Sequence, residues 1–196
     1  MKVPLAEQSI DGLDEGRRSR SALPLAFAAE HRYVGRAMAT AVSVLEVVEA
    51  LELASDEMSS FVNTSTGEVR TVTHEDLQLA EDEDDPSTPD WQRQAVEDAR
   101  AVIDSAEWVE LPSKFDINEW EMMDRFALML LDDDAMSELR GSLRGRGAFR
   151  HFKATLRRLD LEDAWFAYKR RTLEAMAKAW ISEHDMRPDE SPRTPS

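Results

Sequence analysis

Apolar positions along this chain recur mostly at helical spacing. Val44, Val47, Val48 and Leu51 stand at i, i+3, i+4 and i+7 while Glu46 and Glu49 point away, which predicts an amphipathic helix over about Ser43–Leu53. The period then changes. Ser59–Asn63 and Glu68–Thr73 are rich in β-branched and aromatic residues and flank the polar turn Thr64-Ser65-Thr66-Gly67, so they predict a β-hairpin. Thr73 followed by Asp76 has the spacing of a capping box and starts a short helix. Asp90 is expected to cap a further helix reaching about Ala106, with Trp91, Val96, Ala99 and Ile103 as its apolar side. Trp108–Leu111, stopped by Pro112, reads as a short extended segment that adds a strand to the hairpin.

The C-terminal half is helical throughout in this reading. From Ile117 to Leu131, residues Trp120, Met123, Phe126, Ala127, Leu130 and Leu131 wrap beyond a narrow stripe, as in a helix buried on more than one side. Asp132-Asp133-Asp134 breaks it, and another helix runs from about Asp134 to Leu143. A Gly145-Arg146-Gly147 turn leads into Ala148–Leu159, with Phe149, Phe152, Leu156 and Leu159 on one face. A last helix over about Glu162–His184 aligns Trp165, Tyr168, Thr172, Met176 and Trp180, with Phe166, Leu173, Ala177 and Ile181 beside them. Trp120, Met123, Trp165, Met176 and Trp180 are all expected in the core.

The fold class is therefore α+β: a mostly α-helical single domain with one small antiparallel β-hairpin. Residues 1–37, which mix Gly, Ser and Pro without sustained periodicity, are expected to be a disordered N-terminal leader that the fold does not need. Met38 is then a candidate physiological start. Residues 38–185 form the folded domain, and 186–196, with three prolines, a disordered tail.

Composition removes several classes of chemistry. Of the 196 residues none is Cys, which excludes disulfide scaffolds, thiol catalysis and the usual structural zinc sites and suits a reducing cytoplasm. No run approaches the ~18–20 apolar residues that span a bilayer. The patch Ala22–Ala29 behind Arg17, Arg18 and Arg20 imitates a signal peptide, but Glu7, Asp11, Asp14 and Glu15 fall where the basic region would be. The four histidines are far apart and form no His-Glu-x-x-His pair, and there is no Gly-x-Ser-x-Gly elbow or phosphate loop. His151, inside the basic block, reads as a partly exposed helix residue. The acidic run Glu81–Asp85 lacks the alternating spacing of a calcium loop and reads as a solvated loop.

Charge is the chain's most uneven property. The net charge is −16, yet residues 140–171 carry ten basic and three acidic side chains. Within this island Gly145 and Gly147 permit a left-handed or closely approached backbone at a helix start, where free N–H groups can hold an anion. Arg150, Lys153 and Arg157 follow at i, i+3 and i+7 on one side of the helix. Arg144, Gly145, Arg146, Gly147, Arg150, Lys153 and Arg157 are thus the candidate anion-binding residues. The competing reading makes Arg140–Arg158 counter-charges for the acidic half of the same chain, with the glycines ending one helix and opening the next. Helix, Gly-x-Gly turn and helix are also similar to the helix-hairpin-helix module that holds a nucleic-acid phosphate, departing from it at Arg146, where that module has an apolar residue.

Three blocks resemble a known family. Glu49-Ala50-Leu51-Glu52 through Thr66-Gly67-Glu68-Val69, then Leu111-Pro112-Ser113-Lys114-Phe115-Asp116-Ile117, then Arg144-Gly145-Arg146-Gly147-Ala148-Phe149-Arg150-His151-Phe152-Lys153 are similar in order and spacing to the bacterial uncharacterised protein family numbered 0158 in the UPF series. The resemblance spans about Thr40 to His184 and implies a bacterial, cytoplasmic setting and the domain boundaries above, without a reaction. The functional expectation is a non-catalytic cytoplasmic interaction or regulatory domain with an unidentified protein partner, no cofactor, no metal and no membrane contact. The alternative is an anion-binding module that contacts nucleic acid or a phosphorylated ligand through Arg140–Arg158. An enzyme ranks third.

Overall fold

A computed structural model describes residues 39–82 and 89–191. The expected leader over 1–37, most of the acidic Glu81–Asp85 run and the last five residues lie outside the described residues.

The described chain is α+β and mostly helical. Strand β1 (Ala41–Ser43) runs directly into helix α1 (Val44–Leu53), whose start is closed by Ser43 Oγ accepting from the Glu46 N–H at 3.3 Å. Strands β2 (Met58–Asn63) and β3 (Val69–Thr73) form the predicted hairpin, and β4 (Trp108–Glu110) joins the other edge of β2, giving an antiparallel sheet of order β3-β2-β4. Helices α2 (His74–Glu81) and α3 (Asp90–Ile103) lie between β3 and β4 in sequence. Then come α4 (Lys114–Ile117), α5 (Glu119–Leu128), α6 (Asp133–Ser142), α7 (Ala148–Arg158) and α8 (Glu162–Glu183).

Strand alternation explains the layering. Val62 pairs with Val69 on one side and Val109 on the other, and all three face the main core with α1 and the C-terminal helices. Phe61 and Val72 point to the opposite face, where they meet Leu77, Ala80, Val96 and Ala99 of α2 and α3. The sheet is therefore covered by helices on both sides. In the main core Phe126 of α5 and Phe152 of α7 both present their edges to Trp165 of α8, at centroid distances of 5.4 and 5.1 Å.

Four details depart from the sequence expectations. First, Asp90 does not cap α3: Pro89 holds the cap position, Asp90 is the first helical residue, and its carboxylate pairs with Arg93 at 3.0 Å. The helix is also turned from its expected phase, exposing Trp91 (79%) and Ile103 while burying Gln92, Val96, Ala99 and Val102. The phase follows from a polar contact. Buried Asp76 receives Thr73 Oγ1–H at 2.6 Å and the Gln92 amide at 3.1 Å, which turns Gln92 inward. Replacing Gln92 by Ala should cost about 1–3 kcal/mol in chemical unfolding, because a buried carboxylate oxygen loses its donor.

Second, the expected Ile117–Leu131 helix is interrupted. Asn118 adopts a left-handed backbone (φ 42°) and its side chain accepts from the Glu121 N–H at 3.2 Å, so α4 ends there and α5 begins anew. Ser113 donates both its hydroxyl and its N–H to Asp116 Oδ2, at 2.6 and 2.9 Å. The hydroxyl first, and then the N–H, hold this carboxyl below its ordinary value of 3.8. A depressed carboxyl stabilises the fold above its unfolded value, and that contribution is lost as pH falls from there through the folded value. Acid-unfolding curves of Asp116→Asn should lack that component.

Third, the tail expected to be disordered from residue 186 begins as structure. Met186 is buried, the Arg187 N–H donates to Thr40 O at 2.8 Å, and β5 (Arg187–Asp189) pairs in parallel with β1. Left-handed Asp185 turns the chain out of α8, and Lys178 pairs with Glu190 at 2.8 Å. Burial of Met186 outweighs the local weakness of a proline-bearing strand. Ending the chain at His184 should therefore lower the melting temperature by several degrees, through loss of Met186 and β5.

Fourth, some residues expected in the apolar stripes reach the surface. Trp120 and Phe149 are each 46% exposed, and Leu131 and Phe166 are exposed as well. At Leu131 the helix has already ended, and Leu130 is the buried member of the pair.

Candidate anion-binding site

Helix α6 is capped by Asp132, whose carboxylate accepts from the N–H groups of Asp134 and Ala135, and it leads to the basic turn. Leu143 closes the helix and is buried; Arg144, Gly145, Arg146 and Gly147 that follow are exposed. Gly145 and Gly147 both lie in the left-handed region, at φ 76° and 80°. Other residues pay about 1–2 kcal/mol there, which accounts for the Gly-x-Gly spacing. Gly147 is the cap residue of α7, so no side chain closes over the first amides, and the first helical bond is His151 N–H to Gly147 O at 3.0 Å.

The charge at this helix start is reversed. Every other described helix carries Asp or Glu in its first turn, whereas α7 has no acidic residue there and places Arg150 in it. A cation beside the positive end of a helix dipole is unfavourable unless an anion joins it.

The ion pairs divide the basic island in two. Arg140 Nε contacts Asp124 at 2.8 Å, Arg157 contacts Glu162 at 3.2 Å, and Arg158 contacts Glu138. Arg140 and Arg158 thus meet carboxylates of the acidic half of the chain, while the partner of Arg157 lies at the start of α8. Arg144, Arg146, Arg150 and Lys153 make no ion pair or side-chain hydrogen bond among the described residues, although most other described cations are paired. The structure thus brings Arg144, Arg146, Arg150 and the two glycines together around one turn, with Lys153 one helical turn further on. Arg157 is engaged by Glu162 instead.

Two residues near the turn were not among the sequence candidates. A Cβ built on Gly147 would lie 3.6 Å from His151 Cε1 and 3.7 Å from Arg150 Nη2, so both side chains lean back over the turn. Trp120, expected in the core, donates its indole N–H to Leu143 O at 3.3 Å, next to Arg144. The sequence marked His151 only as a partly exposed helix residue inside the basic block, and nothing in the pattern of α5 singles out Trp120.

Among the described residues no three His, Asp or Glu side chains gather as a metal ion would require, and no helix is long and apolar enough to cross a membrane. No family model matches the chain, and neither the curated proteins nor the solved structures hold a significant match to it.

Proposed function

We propose that this chain is a non-catalytic interaction domain whose ligand presents a phosphate or similar anion to the turn between α6 and α7. The observation that carries this reading is the set of four exposed cations, Arg144, Arg146, Arg150 and Lys153, which have no ion-pair partner among the described residues of a chain of net charge −16. Internal counter-charges in so acidic a chain would find carboxylates, as Arg140, Arg157 and Arg158 do. Left-handed glycines and the uncapped amides of α7 add backbone donors to the same surface.

Long polyanions fit less well than compact ligands. Salt screens charges beyond about 8 Å, so the turn attracts only what comes close, and a long polyanion also meets the rest of a chain of net charge −16. A protein partner bearing a phosphorylated side chain is the second reading, favoured by half-exposed Phe149 between the cations. The bacterial, cytoplasmic setting and the resemblance to the 0158 family belong to this proposal too.

Arg146→Ala and Arg150→Ala test it. Urea melts of each variant should agree with the parent to within about 0.5 kcal/mol, as for surface changes that break no contact. Calorimetric titration with pyrophosphate should show binding to the parent that weakens with added salt, and loss of that binding in the variants. Stability lost by several kcal/mol, with no salt-sensitive binding in the parent, would return these cations to a structural role.

A further inference from the structure

A groove of about 330 Å³ opens beside the basic turn and shares Arg144 with it. That volume is at the lower end of the ~300–1,000 Å³ range of small-ligand sites. Its apolar lining is Trp120, Met136 and Leu143; its polar lining is Ser137, Arg144 and the Arg140–Asp124 pair. From these contacts, and building on the anion site above, we infer that the ligand is a free nucleotide whose base stacks on Trp120 while its phosphate is held by Arg144 and the neighbouring turn.

The chemistry of each wall narrows the ligand. Trp120 has already given its indole N–H to Leu143 O, so what it offers a ligand in the groove is ring surface rather than a hydrogen bond. Flat aromatic groups are what such a face accepts. The bond to Leu143 O also ties the ring to the residue that caps the end of α6, next to Arg144, which sets the aromatic and anionic subsites side by side. Arg140 and Asp124 neutralise each other at 2.8 Å, which leaves Arg144 as the lining charge with no counter-charge among the described residues. Ser137 is exposed with no hydrogen bond from its hydroxyl among the described residues, and Asp124 retains acceptor capacity beyond its two contacts with Arg140. A purely apolar ligand would leave Arg144 idle, and a bare phosphate would leave Trp120 idle. A nucleoside phosphate uses both.

Binding of adenosine 5′-monophosphate, ribose 5-phosphate and adenosine to the full chain, followed by calorimetry and tryptophan fluorescence, tests this assignment. The monophosphate should bind about tenfold or more tighter than ribose 5-phosphate, the increment expected from one stacked base, and should quench fluorescence. Trp120→Leu should erase that advantage, so that the two phosphates bind alike, and Arg144→Ala should weaken both. Should Trp120→Leu fail to fold, the comparison of the three ligands on the parent chain decides alone. Equal affinity for the two phosphates would overturn the groove assignment and leave the anion site standing. Binding of none of the three would overturn both. Adenosine binding as tightly as its phosphate, or a ten-nucleotide single strand binding far more tightly than the monophosphate, would also overturn it.

Discussion

Replacing Phe126 by Ala should destabilise the domain by about 3–5 kcal/mol, the range for truncating a fully buried aromatic side chain. Phe126 has no exposed surface and joins α5 to α8. Its ring meets Trp165 edge-on at 5.4 Å with planes at 71°, and meets Tyr168 at 5.5 Å, both on α8. Such aromatic pairs add about 0.5–1.5 kcal/mol beyond area burial, so the loss belongs at the upper part of the range. Trp165 is also held by Phe152 of α7, so it cannot follow into the cavity without releasing that contact. The melting temperature should fall by roughly 10 °C or more. Phe126→Leu, which keeps most of the volume, should lose markedly less.

The second large effect is expected at Gly67. Asn63 Oδ1 accepts from the N–H groups of Ser65 and Thr66 at 2.9 and 3.0 Å, and the Gly67 N–H donates to Asn63 O at 2.8 Å, so the hairpin turn closes on itself. Gly67 stands at φ 79°, and a Cβ there would come within 2.2 Å of Ala41 O. That oxygen belongs to the backbone of β1, so the clash cannot be relieved by a side-chain rotation. Gly67→Ala combines about 1–2 kcal/mol of left-handed strain with about 1–3 kcal/mol of overpacking. A shift of the urea midpoint amounting to several kcal/mol is expected, with a smaller effect at Gly145, where a Cβ would meet open space.

Such dependence on long-range contact also explains what the sequence did and did not disclose. The hairpin, the third strand and the C-terminal helices were legible because their signals are local: β-branched runs around a glycine turn, and apolar residues every three or four positions. The phase of α3 was not, because Gln92 is turned inward by Asp76, sixteen residues away, and a polar residue carries no core signal. Strand β5 was hidden for a similar reason. Three prolines read as disorder, while the partner that orders Arg187–Asp189 is β1 at the other end of the domain. Asn118 broke a helix that the apolar pattern continued straight through.

At the candidate site, the sequence showed the cluster but not its division. Arg144, Arg146, Arg150, Lys153 and Arg157 look alike in sequence, but the structure pairs Arg157 with Glu162, five residues on, and gives the other four no carboxylate partner among the described residues. Trp120 was misread because a tryptophan at helical spacing is ordinarily core; here the turn from α4 into α5 brings its ring to the groove edge.

The most direct test of the account is a two-dimensional amide NMR titration of the full chain with pyrophosphate. The account predicts saturable shifts confined to the amides from Arg144 to Lys153, largest at Gly145, Gly147 and Ala148, and shrinking as salt is raised. Shifts that never saturate, or that fall elsewhere on the chain while the turn stays silent, would contradict it.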